Sequence, residues 1–222
     1  MVSDESKTSS FRSEGKAGAG RPKGARKRRK NAPLDETSLR DLALAYVARF
    51  ATTAAKLEGY LARKIRERGV AEDDEGRVHE LDVAGLVSRL IELGYVDDDA
   101  YARSRSRDLT QSGFGKRRVE QSLWSAGVEE RARTDHAPSE GTGRRAAMLL
   151  AKKRGFGPFA RQSFEDEDFE AQRKRREKQI AAMLKAGHLY EHVQFILKAS
   201  EVMDIEDWVL EAEEDEEKLD GW

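Results

Sequence analysis

An all-α fold assembled from short helices is what this sequence predicts, and three observations carry the reading. Apolar residues recur at helical spacing, as where Leu39, Leu42, Ala43, Tyr46, Val47 and Phe50 fall at i, i+3, i+4, i+7, i+8 and i+11. No segment shows the period-2 alternation of β-branched residues that a strand needs. Glycines close the helices at recurring positions, and two Gly-Phe-Gly turns, 113–115 and 155–157, stand 42 residues apart, each after a basic helix.

The elements follow in order. A first helix begins near Leu39. Thr52 or Thr53 suits the N-cap of a second, whose stripe Leu57, Leu61 and Ile65 ends at Gly69. Residues 71–80 read as a charged loop. Val83, Leu86, Val87 and Leu90 mark a third helix, and Gly94 fits the left-handed position that ends it. Asp97 and Asp98, followed by Asp99, offer an N-cap and a negative first turn to the fourth helix, which Gly113 and Gly115 break. Lys116 opens a fifth helix closing on Gly127. Residues 129–143, with Pro138 and two glycines, read as a loop. A basic helix then leads to the second Gly-Phe-Gly turn. From Pro158 to 173 the chain is either an acidic linker or part of a long helix. Leu189, Val193, Ile196 and Leu197 form a last amphipathic helix.

Aligned on their glycines, Leu61, Ile65 and Gly69 match Val119, Leu123 and Gly127 and, more loosely, Gln179, Met183 and Gly187. That recurrence predicts tandem three-helix repeats. Units so small must share buried faces with their neighbours, which predicts an elongated, curved molecule. The expected units are 37–95, 96–142 and 143–200. A disordered basic arm, 1–36, precedes them and an acidic tail, 201–222, follows.

Composition agrees with small modules. Of 222 residues 38% are hydrophobic and 37% charged, which is thin material for one large core. The absence of cysteine excludes disulfides and thiolate zinc sites. No apolar run approaches the roughly 20 residues that span a bilayer, so no membrane partner and a cytoplasmic location are expected. The net charge of −1 hides a strong asymmetry. Residues 1–31 carry +7, residues 201–222 carry −10, and the middle carries +2. A basic arm of this kind commonly touches nucleic acid.

Catalytic chemistry is hard to place. His188 and His192 are four apart on an expected helix, a metal-ligand geometry, yet no third histidine or cysteine is near and only Glu191 could join them. Gly113-Phe114-Gly115-Lys116 lacks the spacing and preceding strand of a phosphate loop. The triple aspartate is explained as a helix start. No catalytic residue, metal or cofactor is expected. The basic residues are more informative. Arg103 and Arg107 share a helix face. Lys116, Arg117 and Arg118 sit at a helix start whose free N–H groups can also hold phosphate. Arg144, Arg145, Lys152, Lys153 and Arg154 lie on a stretch, 144–154, without an acid. Each is individually an ordinary solvated residue; together they predict a strip that binds a polyanion or an acidic protein surface.

The run Gly94-Tyr95-Val96-Asp97-Asp98, then Tyr101-Ala102-Arg103, Gly113-Phe114-Gly115, Arg118-Val119, Leu123 and Gly127-Val128 resembles the signature of the RecX family of bacterial regulatory proteins. The likeness extends less sharply over about residues 38 to 199. It implies three tandem three-helix repeats and a non-enzymatic modulator. Such a modulator lies along the RecA–DNA filament and usually inhibits it, in DNA repair and the SOS response. Arg103, Arg107, Lys116, Arg117, Arg118, Lys152, Lys153 and Arg154 are then the candidate contacts to DNA phosphates or acidic filament surface. The filament and single-stranded DNA, touched directly or through it, are the expected partners of a monomer. Tyr101, Leu123 and Trp124 are expected to hold the middle unit together, with base stacking as Trp124's alternative role. Arg105 and Ser106 stand where the family has more apolar residues, which predicts loose packing. The 129–143 loop, the arm and the tail lie outside the common pattern. The tail is expected to occupy the basic strip or the arm when no filament is bound. The competing reading is a general DNA-binding, architectural or transcription-regulating protein.

Overall fold

The computed structural model describes residues 32–161 and 168–220, with backbone alone at 219 and 220. The basic arm, as far as residue 31, therefore lies outside the described residues, as do 162–167 in the stretch after Pro158. Among the described residues ten α-helices form: α1 Glu36–Val47, α2 Ala54–Arg68, α3 Val83–Glu92, α4 Asp98–Gln111, α5 Lys116–Trp124, α6 Glu130–Asp135, α7 Glu140–Arg154, α8 Phe169–Lys185, α9 Tyr190–Lys198 and α10 Val202–Asp220. A 3₁₀ turn covers Gly157–Phe159. Among the described residues there is no strand, only isolated bridges joining Leu34 to Val70 and Glu72 to Val78. The all-α expectation holds.

Helix starts are set by short polar side chains. Asp35 and Ser38 form a reciprocal capping box at α1. Thr53, Asp82, Asp97, Ser139 and Asp168 cap α2, α3, α4, α7 and α8. Five of the helix-closing glycines share one physical cause, whereas Gly69 ends α2 with an extended ψ of 173°. The amides of Tyr95, Phe114, Val128, Phe156 and His188 each donate to the carbonyl five residues back, on Leu90, Leu109, Leu123, Ala151 and Met183, at 2.9–3.2 Å. In every case the residue before is a glycine at positive φ, so one left-handed helix ending is used five times.

Buried side chains gather in three clusters. Leu34, Leu39, Leu57, Leu61, Val87 and Leu90 centre the first, Ala102, Val119, Leu123 and Val128 the second, and Ala147, Met183, Val193, Ile196 and Ile205 the third. Contacts to backbone join the first unit to the second. Thr53 Oγ1 donates to the Ala126 carbonyl, and the Ala54 amide donates to Asp98 Oδ1 at 2.8 Å. Gly127 lies against Ala55, where an added Cβ would stand 2.3 Å from the Ala55 methyl.

Three stretches differ from the sequence expectations. Residues 129–143 are not a continuous loop, since they hold α6 and the start of α7. α6 buries no residue of its own, which is why it left no apolar period. It is held instead by polar contacts, Arg133 to the Val128 carbonyl at 2.8 Å and His136 to Asp99 at 2.8 Å at its end. The fourth helix is not loosely packed at its two unusual residues. Ser106 is buried and Arg105 Nε donates to Ser122 Oγ on α5 at 3.1 Å. The acidic tail takes the form of α10. Ile205, Val209 and Ala212 are buried there, and Trp208 stacks on Phe195 at 4.4 Å.

Candidate nucleic-acid interface

The residues of the 94–128 signature position the basic groups. Asp97 caps α4 through the Ala100 amide at 2.8 Å. Asp98 reaches back to α2 instead, and burial pushes its carboxyl above the usual carboxylate range. Asp99 pairs with Arg103 at 3.2 Å. Tyr101 takes a hydrogen bond from Lys56 Nζ at 2.6 Å, with the ammonium also over its ring. The aspartate triplet is thus one cap, one bridge between helices and one ion-pair partner.

The turn 113–115 is a joint. An added Cβ on Gly115 would lie 2.4 Å from the Gly187 carbonyl oxygen and 2.6 Å from the His188 Cα, so the α4–α5 turn meets the α8–α9 turn backbone to backbone. Gly113 rests on Leu150 of α7. His188 is buried, and its Nε2–H donates to the Gly113 carbonyl at 3.0 Å. Burial lowers its pKa to about 4, which makes it a neutral spacer. His192 turns elsewhere, its Nε2 lying 3.0 Å from Glu140. The two histidines therefore do not converge, because His188 precedes the Leu189 N-cap of α9. Among the described residues no group of three or more side chains has metal-binding geometry.

This joint brings the starts of two basic segments together. Lys116 follows Gly113 by three residues, and Lys152–Arg154 follow Leu150 within about one helical turn. All eight candidate cations, Arg103, Arg107, Lys116, Arg117, Arg118, Lys152, Lys153 and Arg154, are exposed. Arg103 is engaged with Asp99, and Arg118 donates to Gln121 at 3.0 Å. The other six form no ion pair within the described residues. Of the N–H groups expected to be free at the start of α5, all but that of Lys116 are already used. Gly115 donates to Ala186, Arg117 to Gly187 and Arg118 to Gly115. Phosphate binding there would fall to side chains and the Lys116 amide.

Arg144 and Arg145 are occupied too. Arg144 donates to Glu140 at 2.7 Å and to the Trp208 carbonyl at 2.8 Å, with its guanidinium over the Trp208 ring. Arg145 makes a two-pronged pair with Glu213 of α10, which holds that carboxyl below its usual range. Glu216 accepts from the Gly141 amide at 2.7 Å. α10 thus takes the first half of α7 and leaves Lys152–Arg154 open.

Two features escaped the sequence reading. Trp124 is not part of the middle core, since it is 67% exposed whereas Leu123 beside it is fully buried. The period of α5 turns it outward, a signal present in the Val119–Leu123 stripe. A second basic group, Arg173, Lys174 and Arg176, lies on α8, with Arg173 and Arg176 beside a cleft of about 550 Å³. Its charges are largely spent at home, on Glu177, Glu170 and the Leu197 carbonyl.

No helix among the described residues is long and apolar enough to cross a membrane. The described residues thus form an all-helical protein with exposed cations on the two segments that leave a glycine joint, and relatives place it among regulatory proteins. A regulatory protein RecX of Myxococcus xanthus (strain DK1622) is 30% identical over 169 residues, covering 74% of this chain and 85% of that protein. The chain belongs to the RecX family. RecX proteins of Mycobacterium sp. strains KMS and JLS are 34% identical over 100 residues, 44% of this chain and half of their own length. No family model matches. Two crystal structures share the fold. RecX from Lactobacillus salivarius has a TM-score of 0.54 at 18% identity, over 73% of this chain and 94% of that one. A second structure, of a regulatory protein RecX, has a TM-score of 0.54 at 19% identity, over 74% and 72%.

Proposed function

We propose that this protein regulates a RecA-type recombinase by docking on the RecA–DNA filament and lowering its activity. The observation that carries the reading is the set of unpaired, exposed cations on α4, α5 and α7, two of whose segments start from the same Gly113–Leu150 contact. Such a surface suits the phosphates of filament-bound DNA or an acidic protein face, and membership of a family of regulatory proteins supports the same conclusion. DNA repair is the setting it implies, with the cytoplasm as the place. The test is a titration of the protein into the cognate recombinase on single-stranded DNA, reading ATP hydrolysis and strand exchange. Both should fall, and Lys116→Glu with Arg117→Glu should blunt the effect at least tenfold in concentration, as expected for charge reversal at a desolvated contact, about 1.4 kcal/mol or more. Stimulation, or no effect at saturation, sinks the inhibitor reading. Tight binding to one duplex sequence without recombinase would favour the competing transcription-regulator reading.

A further inference from the structure

We propose that Trp124 is a base-stacking residue and that the outer face of α5, Arg117–Gln121–Trp124, seats a short stretch of single-stranded nucleic acid. The inference rests on the nucleic-acid half of the function proposed above and requires no recombinase. α5 buries Val119 and Leu123, at i and i+4. The opposite face carries Arg117, Gln121 and Trp124 at i, i+4 and i+7, and all three are exposed. Seven residues advance about 10 Å along a helix, no more than about three stacked nucleotides at 3.4 Å each. The face is therefore matched to a few nucleotides, cationic at one end and aromatic at the other.

The chemistry of each position fits that occupant. Arg117 forms no ion pair among the described residues, so its charge is free for a phosphate. Gln121 Oε1 accepts from Arg118 at 3.0 Å, which leaves its amide hydrogens to donate to a base edge. The indole of Trp124 makes no ring contact within the described chain. The acid of this helix, Glu120, lines the cleft with Lys116, Glu130 and Arg133, and its spacing also makes it a helix neighbour of Arg117 and Trp124, so it borders the face at one edge. A filament protein is the weaker match. From 96 to 148 Trp124 is the one exposed large hydrophobic among the described residues, with Tyr95 and Leu149 the next on either side in the sequence. An apolar protein contact would extend over neighbouring hydrophobic side chains. Stacking needs one π-face and a nearby cation, and it is tolerant of base identity.

The experiment uses the full chain and a dT homopolymer, with no recombinase present. Binding is followed by anisotropy of labelled oligonucleotide and by quenching of tryptophan emission with unlabelled oligonucleotide. Trp124→Ala should weaken dT binding by about tenfold, and Trp124→Phe should recover part of the loss. The quench of the natural chain should vanish in Trp124→Phe, which keeps Trp208 and Trp222. The log–log salt slope should stay the same in Trp124→Ala but drop by about 0.7 in Arg117→Ala, because only the second loses a phosphate contact. Unchanged dT affinity in Trp124→Ala overturns the proposal. If that variant also fails to inhibit the recombinase, the ring is a protein contact and the regulatory function stands without base stacking. A fall in both affinity and salt slope in Trp124→Ala also overturns it, because the substitution would then have moved the cations.

Discussion

His188 shows how one buried side chain sets a pH limit on the fold. Its ring lies where the α8–α9 turn meets the Gly113 carbonyl, and burial lowers its pKa to about 4, from an ordinary value of 6.5. The unfolded chain takes up a proton at this residue near pH 6.5, which the folded chain refuses until about pH 4. The stability tied to the neutral ring is therefore complete above pH 6.5 and is lost as pH falls toward 4. The loss between pH 7.5 and 5 should be about 2 kcal/mol from this residue. Urea unfolding at both pH values checks it, with His188→Gln as the comparison, because titrating carboxylates contribute equally to both chains. The drop in the Gln variant should be smaller by that amount; equal drops would mean that His188 charges freely in the folded state. The sequence placed His188 and His192 four apart on one helix. It could not show that the helix begins after Leu189, nor that each ring faces a different distant partner. Trp124 carries the same lesson from the other side. The stripe Val119–Leu123 was legible, but aromatic content alone argued for burial, and only the phase of a nine-residue helix decides.

At the scale of the elements, Gly115 and Gly187 hold α5 against the α8–α9 turn. A Cβ on Gly115 would meet backbone atoms, the Gly187 carbonyl at 2.4 Å and the His188 Cα at 2.6 Å, and backbone cannot rotate away as a side chain can. Gly115→Ala should therefore destabilise by about 1–3 kcal/mol through overpacking and should displace Lys116–Arg118 from the joint. Gly94→Ala is the control. Its added Cβ meets nothing within 4 Å, so it reports only the cost of positive φ, about 1–2 kcal/mol. Chemical denaturation of both variants, with dT affinity alongside, separates the effects. DNA binding should fall in Gly115→Ala and stay intact in Gly94→Ala. Unchanged binding in Gly115→Ala would show that the joint does not position the cations. Helix ends were readable because a glycine at positive φ is a local requirement. What each glycine touches was not readable, since Gly115 and Gly187 are 72 residues apart. α6 was missed for the related reason that its supports, Val128 and Asp99, lie outside it.

Across the whole molecule the charge asymmetry becomes a competition for one helix. Arg145 and Lys152 lie seven apart on α7 and so share a face. Glu213 of α10 holds Arg145, while Lys152 forms no ion pair within the described residues. The sequence expectation that the acidic segment would occupy basic groups thus acquires particular atoms. It also acquires a limit, because α10 is anchored by Ile205, Val209 and Ala212 and is not a free polymer. Deleting the segment would expose that apolar face and confuse stability with charge. Glu213→Gln is the cleaner change, since it keeps the side-chain volume and removes the charge that holds Arg145. Single-stranded DNA should then bind about twofold to tenfold more tightly, as expected for one charge pair of roughly 0.4–1.4 kcal/mol. The salt dependence should steepen by about 0.7 in log–log slope if Arg145 takes a phosphate. Net charge alone also favours DNA binding, so the comparison is Glu214→Gln, which removes the same charge from an exposed side chain. A steeper slope in Glu213→Gln but not in Glu214→Gln would identify α10 as an internal competitor for phosphate. Equal slopes in both variants would mean that Glu213 fastens a helix and leaves DNA binding untouched.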